Sequence, residues 1–336
     1  MSDPILDVRD LSVDIPVERG TVHAVDGVSF TVRPGEALGL VGESGCGKTM
    51  TLRAIDGLLP RTARVVAGQV LFDGVNLVAA DERTLRETRG GSIAMIFQDP
   101  MAALNPVMRV GDQIAEGPRN RSGLSRRQAR AEAIELMRQV GIADASRRVE
   151  AYPHELSGGL RQRVMIAIAL SCKPRLILCD EPTTALDVTI QDQILKLLLD
   201  LRASLALSIV LVTHDLAVVA ETCDRLAVMY AGQIVETGSV AEVFREPRHP
   251  YTLGLLRSVP DLGAPRSSLG SISGRPPDLV SPPEGCRFHP RCALAQSDCE
   301  HGLFPLRPLA GARATACIHD QACADASLGA ADAADG

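Results

Sequence analysis

The octapeptide GESGCGKT, residues 42–49, fits G-x-x-x-x-G-K-[ST] at every fixed position. Such a loop lets backbone N–H groups close around a nucleotide's β-phosphate, aided by the positive end of the following helix. The lysine reaches the β- and γ-phosphates and the terminal hydroxyl ligates Mg²⁺. Gly42, Glu43, Ser44, Gly45, Cys46, Gly47, Lys48 and Thr49 are therefore candidate phosphate-binding residues, with Thr49 also on the metal. Two adjacent acids, Asp180 and Glu181, end the run RLILCDEP. One carboxylate suits a Mg²⁺ anchor, here Asp180; the other, Glu181, suits a base that polarises an attacking water. His214 ends a similar run, SIVLVTHD. In LSGGLRQR, residues 156–163, small residues precede a helical stretch. Ser157 suits a cap there, and Gly158 and Gly159 leave room for an anion at free N–H groups. Taken singly, the acids read as a solvated turn and His214 as a strand-end residue. Beside the phosphate loop, all of them read as nucleotide-phosphate chemistry.

These residues need elements to position them. ALGLV (37–41) reads as a short buried strand and TMTLRAIDGL (49–58) as the helix after the loop. RLILC and SIVLV read as two more buried strands, with helical segments between them. The phosphate loop, the acid pair and His214 then share the carboxyl ends of strands, where open α/β sheets place ligands. A mostly parallel sheet with right-handed crossovers follows. In SRRQARAEAIELMRQVG, residues 125–141, Ser125 and Gln128 form a capping-box pattern. Ile134, Met137 and Val140 recur at helical spacing, and Gly141 suits the stop.

The composition bounds the alternatives. The chain has 336 residues, 46% hydrophobic, with a formal charge of −6 and no basic block, so a nucleic-acid partner is not expected. Six Phe, three Tyr and no Trp offer no base-stacking platform. The start, MSDPILDVRD, has no apolar signal segment, and no run approaches the ~18 apolar residues of a membrane span. Nine cysteines without a secretion signal fit a reducing, cytosolic compartment.

With these motifs in hand, the sequence resembles the ATP-binding-cassette (ABC) ATPases. LSGGLRQR resembles their signature, lying just before the LILCDE strand; TTALD (183–187) resembles the D-loop. IFQDP (96–100) resembles the Q-loop, with Gln98 the glutamine that contacts Mg²⁺ and water, and THD (213–215) resembles the H-loop. All six motifs stand in the family's order within residues 42–215. The resemblance implies a P-loop nucleotide-binding domain: a RecA-like core, an antiparallel β region, and a helical subdomain at about residues 101–155. It implies that two cassettes pair head to tail with each ATP between the phosphate loop of one and the signature of the other. Glu181 is then the general base, His214 holds the γ-phosphate, and Ser157, Gly158 and Gly159 meet the partner's nucleotide. Thr49, Gln98 and Asp180 bind Mg²⁺. One departure is the lack of an aromatic residue for adenine in residues 11–25, where Ile15 takes the place.

Two stretches narrow the branch. QDPMAALNPVMRVGDQI (98–114) and PRHPYTLGLLRSVP (247–260) resemble the D-type ATPase subunits of oligopeptide and dipeptide permeases, a group that includes nickel importers. This implies a second related ATPase, two membrane permeases and an extracytoplasmic binding protein as partners. It also implies peripheral attachment at the cytoplasmic face of the membrane. Peptides are the expected cargo, with nickel or another small solute as the alternative. A soluble repair or translation ATPase would carry two cassettes or a coiled-coil insertion; an exporter ATPase would lack the His-Pro-Tyr segment.

The expected domains are a nucleotide-binding domain at 1–258, a cysteine-containing extension at 259–325, and a disordered alanine-rich tail at 326–336. After Pro260 the sequence turns rich in Pro, Gly and Ser and reads as linker. Cys286, Cys292, Cys299 and Cys317 follow with the spacing C-x5-C-x6-C-x17-C. The residues alone leave disulfides, free thiols, a zinc site and an iron–sulfur cluster open. FHPRC (288–292) resembles an element of this subfamily's C-terminal region, which implies a [4Fe–4S] cluster on the four. Cys323 and His319 are reserve ligands. Cys46 and Cys179 sit at small-residue positions without a chemical role.

Overall fold

Three apolar runs, residues 37–41, 176–180 and 208–213, are strands in which every residue is buried. Strands covered on both faces need no polar alternation. The computed structural model describes residues 3–184, 186–258 and 272–332. Most of the stretch read as linker therefore lies outside the described residues, as does Ala185 of TTALD. In chain order the elements begin β1 (Leu6–Val17), β2 (Gly20–Val32), β3 (Ala37–Val41), α1 (Lys48–Ile55), β4 (Arg64–Phe72) and β5 (Val75–Asn76). They continue as α2 (Glu82–Thr88), β6 (Ile93–Ile96), α3 (Pro100–Ala103), α4 (Val110–Ser122), α5 (Arg126–Gln139) and α6 (Ala145–Arg148). Then come α7 (Gly158–Leu170), β7 (Leu176–Asp180), α8 (Val188–Leu205), β8 (Ser208–Thr213), α9 (Leu216–Thr222) and β9 (Arg225–Tyr230). The chain ends with β10 (Gln233–Ser239), α10 (Val240–Arg245), α11 (Pro250–Arg257), β11 (Arg307–Pro308), β12 (Ala314–Thr315) and α12 (Asp320–Asp332).

The chain folds into two compact units. The first comprises residues 1–5, 32–36 and 79–211. In it β6 and β7 pair in parallel, with β8 on the other side of β7. Helices α3, α4 and α5 pack on α7, and α4 also packs on α5. Helix α5 starts as its sequence dictates: Ser125 Oγ accepts the Gln128 N–H at 3.4 Å, and Gln128 Oε1 accepts the Ser125 N–H at 3.1 Å. It stops at Gly141, whose φ is 73°. Its buried residues are Ala129, Ala133 and Met137, followed by Val140 at its end, while Ile134 is half-buried. Small side chains thus form much of the contacting face.

The second unit comprises residues 6–31, 37–78 and 212–336. One sheet has the order β2-β1-β4-β5, antiparallel from β1 through β5. In another, β3 pairs with β9 in parallel, and β10 joins β9 antiparallel. Parallel pairing thus gives way to antiparallel pairing beyond β9, in keeping with a mostly parallel sheet. The cysteine-bearing extension then continues the sheet, because β12 pairs with β10 and β11 with β12. Val41, Val219, Val228, Tyr230, Tyr251 and Phe288 share one core cluster, against which Cys286 and Cys292 pack. Tyr230, Tyr251 and Phe288 lie with ring centroids 4.6–5.3 Å apart, and the Tyr230–Phe288 pair is edge-to-face. Such geometry aligns the positive ring edge with the negative face.

Helix α12 runs to Asp332, and residues 333–336 of the tail lie outside the described residues. Alanine has the highest helix propensity, so an alanine-rich segment of low complexity can still be helical.

Glu236 ties the extension to β10. Its side chain is fully buried and accepts the backbone N–H of Arg248 at 2.8 Å and of His249 at 3.0 Å. Arg313 Nη2, from the segment leading into β12, lies 3.3 Å away. Burial still pushes this carboxyl above the usual range. His249 in turn is buried, its pKa lowered by desolvation to about 3, so the ring is neutral. Its Nδ1 accepts the Tyr251 N–H at 3.1 Å and caps α11. Arg313→Met should strip Glu236 of its counter-charge and lower stability by about 3 kcal/mol. Urea unfolding of the full chain measures this.

Candidate functional site

In the second unit, the chain leaves β3 at Val41 and enters α1 at Lys48. Gly47 is the N-cap of α1 at φ 105°, and a Cβ there would lie 2.2 Å from the Ala24 carbonyl oxygen. At Gly42 a Cβ would lie 2.1 Å from the Met229 carbonyl oxygen. Both motif glycines are thus required by close backbone approach. Ser44 and Gly45 are exposed, while Thr49 and Glu43 are half-buried. Lys48 is buried, and its Nζ donates to the carbonyls of Gly42 at 2.7 Å and Glu43 at 2.9 Å. Cys46 packs inside the loop, where burial pushes its thiol up. The loop's outer side is tied down as well: the Glu43 N–H donates to Tyr251 Oη at 2.8 Å, and Arg291 pairs with the Glu43 carboxylate. Desolvation raises the Tyr251 phenol, which stays a neutral hydroxyl. His214 follows β8 and is exposed, just before α9, which Asp215 caps by accepting the Ala217 N–H at 2.8 Å.

In the first unit, Asp180 ends β7 and is buried, and Glu181 follows at φ 45°. A non-glycine residue in the left-handed region carries backbone strain, which tends to gather at functional positions. Here it turns the carboxylate onto two donors: Gln98 Nε2 at 3.2 Å and Thr184 Oγ1 at 2.8 Å. The glutamine after β6 and the acid after β7 are thereby brought together. Gln98 is exposed, and the next residue, Asp99, caps α3 by accepting the Met101 N–H at 2.7 Å. Ser157 occupies the N-cap position of α7 as expected, but its hydroxyl makes no capping bond. Ser157 and Gly158 are exposed and Gly159 is half-buried at the start of this 13-residue helix.

The four cysteines singled out by spacing converge. Cys286, Cys292, Cys299 and Cys317 line one cavity in the second unit, together with Phe288, Leu294 and Phe304. The Cys286 N–H donates to the Cys299 carbonyl at 2.9 Å, which holds two of the thiol-bearing turns side by side. Burial raises the thiols of Cys286 and Cys292. Cys317 is pushed up to about 12, first by burial and then by the other three sulfurs. Asp298, Cys299 and His319 bring three potential ligand atoms within 4.8 Å of one another, with His319 Nε2 2.9 Å from Asp298 Oδ1. Cys323 is buried on α12 but does not line the cavity. His249 does line it, and so does His289. Spacing alone gave no reason to single out either, although His249 is the histidine of the His-Pro-Tyr sequence. Arg291 was likewise missed, although it stands inside FHPRC.

Comparisons with known proteins identify the family. The family described as ABC transporter matches residues 25–184, and the oligopeptide/dipeptide transporter C-terminal region matches residues 235–299. A probable peptide ABC transporter ATP-binding protein of Sinorhizobium fredii is 51% identical over 318 residues, 94% of this chain and 95% of that protein. The dipeptide transport ATP-binding protein of Bacillus subtilis is 47% identical over 304 residues, 90% of each chain. Among solved structures, a dimeric ATP-binding cassette in a post-hydrolysis state with ADP and Pi is 26% identical, with a TM-score of 0.63. It covers 70% of this chain and 98% of its own. The chain belongs to the ABC transporter ATPases: an α/β cassette that binds and hydrolyses ATP. Within them it belongs to the branch that carries the oligopeptide/dipeptide transporter C-terminal region.

Gly47→Ala should drive a methyl group into the Ala24 carbonyl and displace the start of α1. Titration with Mg²⁺ and a non-hydrolysable ATP analogue should show affinity at least about tenfold weaker, a loss of about 1.4 kcal/mol.

Proposed function

We propose that this chain energises an importer of di- and oligopeptides. It works as one of a pair of related cassette ATPases beneath two membrane permeases, fed by an extracytoplasmic binding protein. The observation that carries this reading is the match to the oligopeptide/dipeptide C-terminal region, joined to near full-length similarity to proteins named for peptide and dipeptide transport. Among the described residues, no helix is long and apolar enough to cross a membrane. That agrees with attachment through the permeases at the cytoplasmic face.

Each motif then has a task. The loop from Gly42 to Thr49 grips the ATP phosphates, with Lys48 as the charge that meets the β- and γ-phosphates. Thr49, Gln98 and Asp180 would hold Mg²⁺, which supplies charge neutralisation at the phosphates when bound. Glu181 accepts a proton from the attacking water, and its bonds to Gln98 and Thr184 aim the carboxylate. His214 donates to the γ-phosphate. The exposed start of α7, Ser157 to Gly159, offers N–H groups to the nucleotide held by the partner cassette. The nucleotide thereby cements the two subunits, and hydrolysis releases them.

The cysteines fit a [4Fe–4S] group better than the other centres weighed. Four thiols converge on one apolar cavity, matching the four thiolates such a cluster requires. Their long, irregular spacing is unlike the paired C-x2–4-C of structural zinc. A bound cluster would staple a segment whose strands are only two residues long each.

Glu181→Gln in the assembled complex should retain ATP binding while ATP turnover and peptide uptake fall at least about a hundredfold. Retained turnover would falsify the base assignment, and uptake of a non-peptide solute alone would correct the cargo. Full chain purified without oxygen should contain about four iron and four sulfide per protein. Zinc in their place, or neither metal, rules the cluster out.

A further inference from the structure

Nothing in the phosphate-loop motif explains how it tolerates a carboxylate. Glu43 is the one acidic residue of GESGCGKT, so its charge stands in a loop read as binding a polyanion. Uncompensated, such a charge opposes nucleotide binding. The cysteine-bearing module supplies the compensation. Arg291 Nη1 lies 2.7 Å from Glu43 Oε2 and its Nη2 lies 2.9 Å from Oε1, a two-pronged pairing that covers both oxygens. The guanidinium cannot swing away easily. Its side chain is 5% exposed, its Nε donates to the Ser273 carbonyl at 3.0 Å, and it lies over the Tyr230 ring at 5.7 Å.

We propose that Arg291 is a positioning residue for ATP binding, acting through Glu43. It holds the carboxylate of the phosphate loop turned away and neutralised, and so places nucleotide affinity under the control of the cysteine-bearing module. Glu43 is gripped at every polar group: its N–H by Tyr251, its carboxylate by Arg291, its carbonyl by Lys48. A second arm reaches the same region. Arg287 Nη1 donates to the Ala231 carbonyl at 2.5 Å, its Nη2 pairs with Asp26, and the next N–H, of Gly232, donates to the Cys46 carbonyl at 3.0 Å. Both arginines lie between Cys286 and Cys292, two of the residues that line the thiol cavity. The segment that presents the thiols therefore also presents the cations. Displacement of this segment exposes the phosphate loop to its own negative charge.

The inference rests on the loop being the nucleotide site, and not on any metal in the cavity. The test uses the full chain and measures affinity for Mg²⁺ with a non-hydrolysable ATP analogue. Arg291→Met, which keeps the aliphatic stem, should weaken binding about tenfold, equivalent to about 1.4 kcal/mol. Adding Glu43→Gln to it should recover most of that loss, an outcome that a merely structural role for Arg291 does not produce. Arg291→Lys carries the test if the Met variant does not fold. One ammonium covers the two oxygens less well, so binding should fall about threefold. Glu43→Gln should then close the gap. Affinity unchanged within about twofold in the folded Arg291 variants, or no recovery on adding Glu43→Gln, overturns the proposal. Lys48→Ala in the same assay is read separately, since its undiminished affinity overturns the loop assignment instead.

Discussion

A carboxylate removed from water must find N–H donors or a counter-charge, and Glu236 meets this demand with donors from widely separated segments. Its partners are two consecutive N–H groups at the His-Pro-Tyr turn and a guanidinium from the run into β12. The His-Pro-Tyr turn and the run into β12 meet at this carboxylate. The turn it fixes sets the start of α11, α11 carries Tyr251, and Tyr251 holds the backbone of the phosphate loop. One buried acid is therefore connected, through a helix and a phenol, to the loop that reads nucleotide phosphate.

Much of this architecture was legible in the sequence because its signals are local. The phosphate loop declares itself through glycines that close contacts demand, with a buried strand on one side and a helix on the other. The capping box of α5 is a matter of residues three apart, and it forms as written. Of the apolar residues that recur along this segment, Met137 and Val140 are buried, and alanines complete the covered face. Ala129 and Ala133 are covered while Ile134 is half-buried, since small residues allow close approach of a neighbouring helix.

What escaped the sequence is long-range. Arg291 and Glu43 are 248 positions apart, and no pattern in FHPRC announces that its arginine reaches the phosphate loop. The bond between Gln98 and Glu181 joins the ends of two strands whose pairing must already be known. The convergence of four cysteines on one cavity was anticipated from spacing and resemblance, but not the aromatic wall around them.

The pairing of β12 with β10 also bears on how this chain can be shortened. A strand at the rim of a sheet presents a row of N–H and C=O groups to any passing chain. Here the extension caps that rim, and its Phe288 packs beside Tyr230 and Tyr251. A chain ended after α11 would keep every nucleotide motif yet bare a sticky margin and a strip of aromatic surface. The extension therefore covers the edge of β10 and part of the aromatic cluster just past the boundary that the motifs suggest.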